Sequence, residues 1–143
     1  MQTYFAGSIR GGRDDAALYG QIVELLKTYG PVLTEHVGAT DPREDGLSDE
    51  AIYQRDMAWL SEADVVVAEV TVPSHGVGYE IGLAETLGKP ILCLHRLQTG
   101  HLLSALIAGN PDVRCERYRR LADLKPILDR FLQQAEQDGE RTA

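Results

Sequence analysis

The stretch Ala63-Asp64-Val65-Val66-Val67-Ala68-Glu69-Val70 decides the fold, because it is the strongest strand signal in the chain. Apolar residues fill it almost continuously, which is typical of a central strand in a parallel sheet that is covered on both faces. A polar turn follows at residues 71–76, and a helical pattern then runs to the stop signal Gly88-Lys89-Pro90. A strand, a turn and a helix in this order predict an α/β protein.

The same alternation of apolar runs and helical patterns extends over the rest of the chain. Strands are predicted at residues 2–6, 32–37, 63–70, 91–95 and 113–118, the last of them at a sheet edge. Helices are predicted at residues 14–29 and 48–62, after residue 76, after residue 100 and at 121–134. We therefore expect a flavodoxin-like or Rossmann-like fold, with a parallel five-stranded sheet and helices on both faces.

The bulk composition predicts one globular domain. The chain has 143 residues, of which 43% are hydrophobic and 25% charged, and these proportions exclude a disordered protein. We expect the domain to cover residues 1–136 and a disordered tail to follow at residues 137–143. Because no apolar run reaches membrane-spanning length and Met1 leads into a strand rather than a signal peptide, we expect a cytoplasmic protein with no membrane contact.

The charge of the chain limits the ligands that it can bind. The formal net charge is -8, which argues against nucleic-acid binding because a polyanion requires a basic surface. The acidity is explained by solubility alone. An anionic ligand must therefore be small, and a few local arginines and backbone amides must hold it.

The cysteines and histidines give little support for a metal or a disulfide. The two cysteines, Cys93 and Cys115, lack CxxC spacing, and Cys93 lies in an apolar run that predicts a buried free thiol. The four histidines form no HExxH or clustered pattern. We expect neither a metal nor a cofactor.

A possible anion site follows the first predicted strand. The stretch Tyr4-Phe5-Ala6-Gly7-Ser8-Ile9-Arg10-Gly11-Gly12-Arg13 changes from an apolar run to glycines, a serine and arginines just before a helix. Glycines let the backbone approach a phosphate, amides and a hydroxyl can bind it, and arginines neutralise its charge. A plain glycine-rich turn between a strand and a helix is the alternative.

Glu80 is the first candidate for chemistry, because it comes early in the helix that follows the central strand. Ligands of open α/β sheets bind beyond the carboxyl ends of the strands, where this loop lies. Gly76 and Gly78 leave space around the carboxylate, and the helix N-terminus favours the ionised form that a nucleophile requires. The alternative is an ordinary acid in the first turn of a solvated helix.

Asp56 is the second candidate, because helical spacing places it in the apolar stripe of its helix. Ile52, Trp59, Leu60 and Ala63 share that stripe. An acid that faces inward is costly unless it is partnered or needed for function, and a paired buried acid remains the alternative. Two carboxylates on neighbouring strand-end elements suit acid–base or glycosyl-transfer chemistry.

Four further polar residues have weaker individual cases. Tyr4 could direct its hydroxyl into the crevice or belong to the core, and His36 closes the second predicted strand at the same edge. Ser74 could cap the next helix or bind phosphate. Ser104 interrupts an apolar helix that otherwise predicts core or a subunit contact.

Several motifs occur together and in a fixed order. They are the stretch 4–13, Leu33-Thr34-Glu35-His36-Val37, Asp56-x-x-Trp59-Leu60, the stretch 63–80 and Leu103-Ser104-Ala105. Over residues 4–106 the chain resembles the 2'-deoxynucleoside 5'-phosphate N-hydrolase branch of the nucleoside 2-deoxyribosyltransferase family. The resemblance implies a homodimeric, flavodoxin-like protein that cleaves deoxynucleoside monophosphates into a nucleobase and 2-deoxyribose 5-phosphate.

The resemblance also implies a role for each site residue. Glu80 would be the nucleophile that forms a glycosyl-enzyme intermediate, while Asp56 and Tyr4 hold the sugar and Glu80. Ser8, Arg10 and Ser74 would be foremost at the 5'-phosphate, Ser104 would reach the neighbouring subunit's phosphate, and His36 would lie near the base or sugar. The implied substrate-binding set is Gly7, Ser8, Ile9, Arg10, Gly11, Gly12, Arg13, His36, Ser74, Gly76, Ser104, Ala105 and Leu106.

Three other functions stay open at this point. A deoxyribosyltransferase would exchange one base for another, and a related hydrolase would accept ribonucleoside monophosphates. A nucleotide sensor would bind without cleavage, although a mere binder needs neither an inward Asp56 nor a glycine-flanked Glu80.

Overall fold

The structure, a computed structural model, describes residues 1–10, 14–38, 46–97 and 99–142. Gly11, Gly12 and Arg13 of the predicted anion site lie outside the described residues. The strands are β1 (Thr3–Ala6), β2 (Val65–Glu69), β3 (Ile91–Arg96) and β4 (Arg114–Tyr118). The α-helices are α1 (Ala16–Lys27), α2 (Asp49–Glu62), α3 (His75–Thr86), α4 (Ala105–Ala108) and α5 (Leu124–Thr142), and short 3-10 helices cover Glu35–Gly38 and Leu121–Asp123.

The four strands form one parallel sheet in the order β1-β2-β3-β4. The predicted strand 63–70 is therefore internal as β2, and the predicted strand 113–118 is at the edge as β4, so both predictions are confirmed. In the register of the sheet, Tyr4 pairs with Val66 and Cys93 pairs with Cys115. A parallel sheet brings the carboxyl ends of its strands to one edge, where the loops after β1 and β2 meet.

Side chains alternate between two cores because successive strand residues point to opposite faces. On one face Phe5, Val67 and Leu94 pack with α1 and α5. On the other face Tyr4, Val66 and neighbouring residues pack with buried side chains of α2 and α3. Helices therefore cover both faces of the sheet, as the continuous apolar sequence of β2 predicts.

The predicted strand at residues 32–37 is wrong, and with it the prediction of five strands. Val32 forms a single bridge to Thr3, after which the chain turns into the 3-10 helix Glu35–Gly38. The Thr34 hydroxyl accepts a bond from the Phe5 N–H at 2.8 Å and donates one to the Phe5 carbonyl at 2.6 Å. A side chain thus takes the place of a backbone ladder, which the β-branched sequence alone does not reveal.

The C-terminal helix also runs further than predicted. It continues to Thr142, so residues 137–142, where we expected a disordered tail, are helical. The buried side chains of α5 reach Ala135, and on the exposed side of the helix Gln134 donates to both carboxylate oxygens of Asp138 at 3.0 Å. A polar segment rich in helix-forming residues can extend an anchored helix without burying anything.

Buried polar side chains join the strand ends on the α1 side of the sheet. Glu69 accepts hydrogen bonds from the Tyr118 hydroxyl and the Thr71 N–H, and Arg96 pairs with Asp15 just before α1. Burial raises the pKa of the Glu69 carboxyl. These contacts connect the carboxyl ends of β2, β3 and β4 with the start of α1.

The cysteines behave as the sequence predicts, since both are free and Cys93 is buried. Burial raises the pKa of the Cys93 thiol. None of the helices in the described ranges is long and apolar enough to cross a membrane.

Candidate active site

A cavity of about 790 Å³ opens at the carboxyl edge of β1 and β2. Its volume is in the range of small-molecule sites, and open α/β sheets bind their ligands at this edge. The lining residues are Gly7, Ile9, Arg10, Asp49, Ile52, Tyr53, Asp56, Pro73, Ser74, His75, Gly76, Val77 and Glu80. The cavity therefore unites the loop after β1, one face of α2 and the start of α3.

Glu80 and Tyr4 form the central contact of the cavity. The Tyr4 hydroxyl donates a hydrogen bond to Glu80 Oε1 at 3.1 Å, across 76 residues of sequence. Tyr4 is buried on β1, where burial and the nearby carboxylates raise the pKa of its hydroxyl. The phenol therefore stays protonated and keeps donating, and Oε2 of Glu80 is the oxygen left to meet a ligand.

The pKa of Glu80 is raised to about 7, chiefly by burial. The charge of Asp56 raises it further, and the hydrogen bond from Tyr4 lowers it. Burial therefore outweighs the stabilisation of the ionised form that the helix N-terminus was expected to give. Because α3 begins at His75, Glu80 lies beyond the first turn, where the dipole has lost most of its effect.

Asp56 lines the cavity and is also paired with Arg55. It therefore fits both the interpretation as a functional acid and the alternative of a paired buried acid. Its side chain is 18% exposed, Oδ1 accepts a hydrogen bond from Arg55 Nε at 2.9 Å, and Arg55 Nη2 lies 2.8 Å from the same oxygen. The two carboxylates of the site thus have different surroundings, one beside a guanidinium and one beside a phenol. Within the described ranges, no group of three or more His, Cys, Asp and Glu side chains is arranged to hold a metal ion.

The other end of the cavity is suited to an anion. Ser74 caps α3 by accepting a bond from the Val77 N–H at 3.3 Å, which leaves its own O–H to donate. The first backbone N–H groups of α3 have no partner within the helix and carry its positive dipole end. Gly76 adds room, since a Cβ there would meet nothing closer than Ser74 Oγ at 3.8 Å.

Arg10 projects over the same end of the cavity. It pairs with Asp49 at 2.9 Å, and the two side chains are 72% and 85% exposed. An ion pair this exposed contributes about 0–1 kcal/mol, so an arriving dianion can replace Asp49 at little cost. Arg10 is therefore a cation at this end of the cavity whose present ion pair is weak.

Gly7 and Ser8 hold the loop after β1 against α1, and the Ser8 side chain does not line the cavity. A Cβ on Gly7 would approach the Tyr19 ring to 3.1 Å, so the glycine lets the loop lie on α1. Ser8 is fully buried, and its backbone N–H donates to the Tyr19 hydroxyl at 3.3 Å. Ile9 and Arg10 are the residues of this loop that turn toward the cavity with Gly7.

Four predicted residues lie away from this cavity. His36 contacts Arg55 and Trp59 behind Asp56, with 3.4 Å between His36 Nε2 and Arg55 Nη2. Ser104 and Leu106 line a separate groove of about 580 Å³ between α3 and α4, and Ala105 is exposed at the start of α4. That groove shares Ser74, His75 and Val77 with the cavity, so the two are adjacent.

Sequence reasoning missed several lining residues on α2. Asp49, Ile52 and Tyr53 line the cavity with Asp56. Their spacing places them on one face of a helix, so the pattern that pointed Asp56 inward could have found them as well. Arg55 was also missed, because adjacent helix residues do not normally face each other.

The chain resembles known proteins over most of its length. The family model described as nucleoside 2-deoxyribosyltransferase matches residues 3–121. A mouse protein named 5-hydroxymethyl-dUMP N-hydrolase is 61% identical over 113 residues, which cover 76% of this chain and 65% of the mouse protein. A Danio rerio protein of the same name is 54% identical over 139 residues, 93% of this chain and 96% of that protein.

A solved structure resembles the fold more distantly. It is a CMP N-glycosidase from Clostridium botulinum, with a TM-score of 0.66 at 20% identity, covering 90% of this chain and 98% of that one. The likeness establishes an α/β fold with a parallel sheet and helices, like that of this glycosidase.

Replacing Glu80 with glutamine should stabilise the fold in a pH-dependent way. Because the pKa of the carboxyl rises from 4.5 to about 7 on folding, the folded state holds a proton that the unfolded state releases. Wild-type stability therefore falls as pH rises from 4.5 to 7, and Glu80→Gln escapes this loss. Thermal unfolding at pH 5, 6, 7 and 8 should give an advantage for Glu80→Gln that grows up to pH 7 and then levels off.

Glu136→Gln is the control for this measurement, because Glu136 is exposed on α5. Its unfolding midpoint should follow that of the wild type at every pH. A Glu80→Gln advantage that is constant or shrinks with pH would contradict the raised pKa of Glu80.

Proposed function

We propose that this chain, which belongs to the nucleoside 2-deoxyribosyltransferase family, hydrolyses the N-glycosidic bond of 2'-deoxynucleoside 5'-monophosphates. The products are a free nucleobase and 2-deoxyribose 5-phosphate. The observation that carries the proposal is the Tyr4–Glu80 hydrogen bond beside Asp56 in a cavity with an anion-binding end. The relatives from mouse and Danio rerio, which are named 5-hydroxymethyl-dUMP N-hydrolases, support it.

Glu80 acts as the nucleophile in the first half of the reaction. Tyr4 holds Oε1, and Oε2 of the ionised carboxylate attacks the anomeric carbon of the sugar. The bond to the base breaks as the new ester bond forms, and the base leaves with the bonding electrons and takes up a proton. Because the leaving base gives the sugar oxocarbenium character, the adjacent carboxylates stabilise the transition state.

Water completes the reaction in the second half. Asp56, whose Oδ1 is held by Arg55, accepts a proton from a water molecule that attacks the same carbon. The ester bond to Glu80 breaks, its electrons return to the carboxylate, and 2-deoxyribose 5-phosphate leaves. Since Glu80 has a pKa of about 7 in the free protein, reaction from free enzyme and substrate gains rate as the pH rises through 7.

The phosphate end selects the substrate. Arg10 exchanges Asp49 for the 5'-phosphate, and the Ser74 hydroxyl and the N-terminal amides of α3 donate to the same group. This binding energy, remote from the reacting carbon, orients the sugar over Glu80. An unphosphorylated nucleoside cannot use it, which favours nucleotide hydrolysis over base exchange between nucleosides.

A homodimer completes the site in this proposal. Leu102 and Leu106 are 94% and 86% exposed beside the groove that adjoins the cavity, and Ser104 lines the same groove. Exposed leucines at a groove suit burial against a second copy. We propose that the second copy brings its own Ser104 to the phosphate of this site.

Base release should require both the phosphate and Glu80. A chromatographic screen of deoxy- and ribonucleoside monophosphates, with the matching nucleosides, should yield free base from deoxynucleotides and far less from nucleosides. Glu80→Ala should lose at least about 1,000-fold in kcat, because an enzyme without its nucleophile keeps only the contributions of binding and electrostatics. It should still bind nucleotide in calorimetry.

Three outcomes would contradict this function. Full turnover by Glu80→Ala would contradict the role of Glu80 as the nucleophile. Equal rates of base release from nucleosides and nucleotides would contradict selection of the substrate through its phosphate. Adding a second free base tests the transferase alternative, since efficient formation of a new nucleotide would identify a base-exchanging enzyme.

Mixing two differently impaired subunits, Ser104→Ala and Glu80→Ala, tests the shared site. Ser104→Ala should raise KM for nucleotide, and Glu80→Ala should have no turnover of its own. After the two are mixed and allowed to exchange subunits, one site of each heterodimer has Glu80 from one chain and Ser104 from the other. Affinity should recover in that site. A heterodimer that forms without any recovery would contradict the contribution of Ser104.

A further inference from the structure

Arg55 contacts Asp56 in an unusual way for adjacent helix residues. Arg55 Nε donates to Asp56 Oδ1 at 2.9 Å, and Arg55 Nη2 lies 2.8 Å from the same oxygen as an ion pair. Neighbouring residues on a helix point in directions about 100° apart, so the guanidinium has to fold back along α2 to make this contact. Something must hold it there against the entropy of a long side chain.

Trp59 and His36 hold the guanidinium in that position. Arg55 lies 4.8 Å from the centre of the Trp59 ring, one helical turn further along α2. Arg55 Nη2 also lies 3.4 Å from His36 Nε2, and the His36 and Trp59 rings are 5.7 Å apart. Since arginine can only donate, the contact requires an unprotonated Nε2 on His36.

The contact with Arg55 distinguishes the two carboxylate oxygens of Asp56. Both contacts end on Oδ1, and Asp56 lines the cavity whereas Arg55 does not. Oδ2 is therefore the oxygen that Arg55 does not hold. A carboxylate fixed at one oxygen cannot rotate freely, which preorganises the proton acceptor before substrate binds.

The guanidinium also offsets charge in the site. Asp56 and Glu80 are two carboxylates in one cavity, and the substrate adds a phosphate. The side chains of Arg55 and Asp56 are only 24% and 18% exposed, so water screens them little. The electrostatic influence of Arg55 extends to Tyr4, where it opposes the rise in the pKa of the hydroxyl.

We propose that Arg55 is a positioning residue, which acts through Asp56 and never touches the substrate. It fixes Oδ2 of Asp56 toward the reacting carbon and neutralises Asp56, so that Glu80 can ionise near neutral pH. Trp59 and His36 form the surface that holds it. The kinetic part of this inference rests on the proposed hydrolase function, and the effect on ionisation does not.

Two substitutions separate the geometry from the charge. Arg55→Gln removes both, while Arg55→Lys keeps the charge and loses the planar fork. Both should lower kcat by about 10–100-fold, the range expected for a misplaced catalytic group, with KM changed less than about twofold because the phosphate contacts are intact. Only Arg55→Gln should move the acid limb of the kcat/KM profile to higher pH. Arg130→Gln, an exposed arginine on α5, should match the wild type in all of these.

A titration by NMR gives a readout that does not depend on turnover. With 13C-labelled glutamate, and Glu80→Gln to assign the signal, the Glu80 carboxyl should titrate at higher pH in Arg55→Gln than in the wild type or Arg55→Lys. Thermal unfolding would exclude a folding defect. If the wild type releases no base, the proposed function fails, and this titration still decides the role of Arg55.

Two results would overturn the inference. One is a Glu80 titration in Arg55→Gln that matches the wild type. The other is an active wild-type enzyme whose kcat survives Arg55→Gln within about twofold.

Discussion

The site depends on one hydrogen bond, from the Tyr4 hydroxyl to Glu80 Oε1. A half-buried carboxylate is costly to ionise, and this bond lowers its pKa against burial and the charge of Asp56. The bond exists because β1 and β2 pair in parallel, with Tyr4 opposite Val66, so that Tyr4 lies under the helix that follows β2. The pairing of β1 with β2 thus places a hydrogen-bond donor beneath the reactive carboxylate.

The two ends of the cavity differ in burial, and we connect this difference to their tasks. Glu80 and Asp56 are shielded from water, where a charge interacts strongly with a developing positive charge. Arg10 and Asp49 are largely exposed, where an ion pair is weak and can be exchanged for a ligand. We assign the chemistry to the buried end with Glu80 and Asp56, and substrate selection to the exposed end with Arg10 and Asp49.

The sequence predicts the parts of this molecule that repeat a strong pattern. The apolar run of β2, the Ser74 cap of α3 and the inward position of Asp56 on α2 follow from local chemistry, and the structure confirms them. The failures come from contacts between distant residues. Thr34 replaces a backbone ladder beside Phe5, burial outweighs the helix dipole at Glu80, and Arg55 folds back on its neighbour while it contacts His36 and Trp59. No local pattern encodes these three.

The central claim is that Glu80 itself becomes bonded to the sugar. Rapid quenching of the wild-type enzyme with a deoxynucleoside monophosphate, followed by peptide mass spectrometry, tests it most directly. The account predicts a 2-deoxyribose 5-phosphate adduct on the peptide that contains Glu80, formed and lost at the rate of base release. Turnover with no adduct, or an adduct on Asp56 instead, would contradict it.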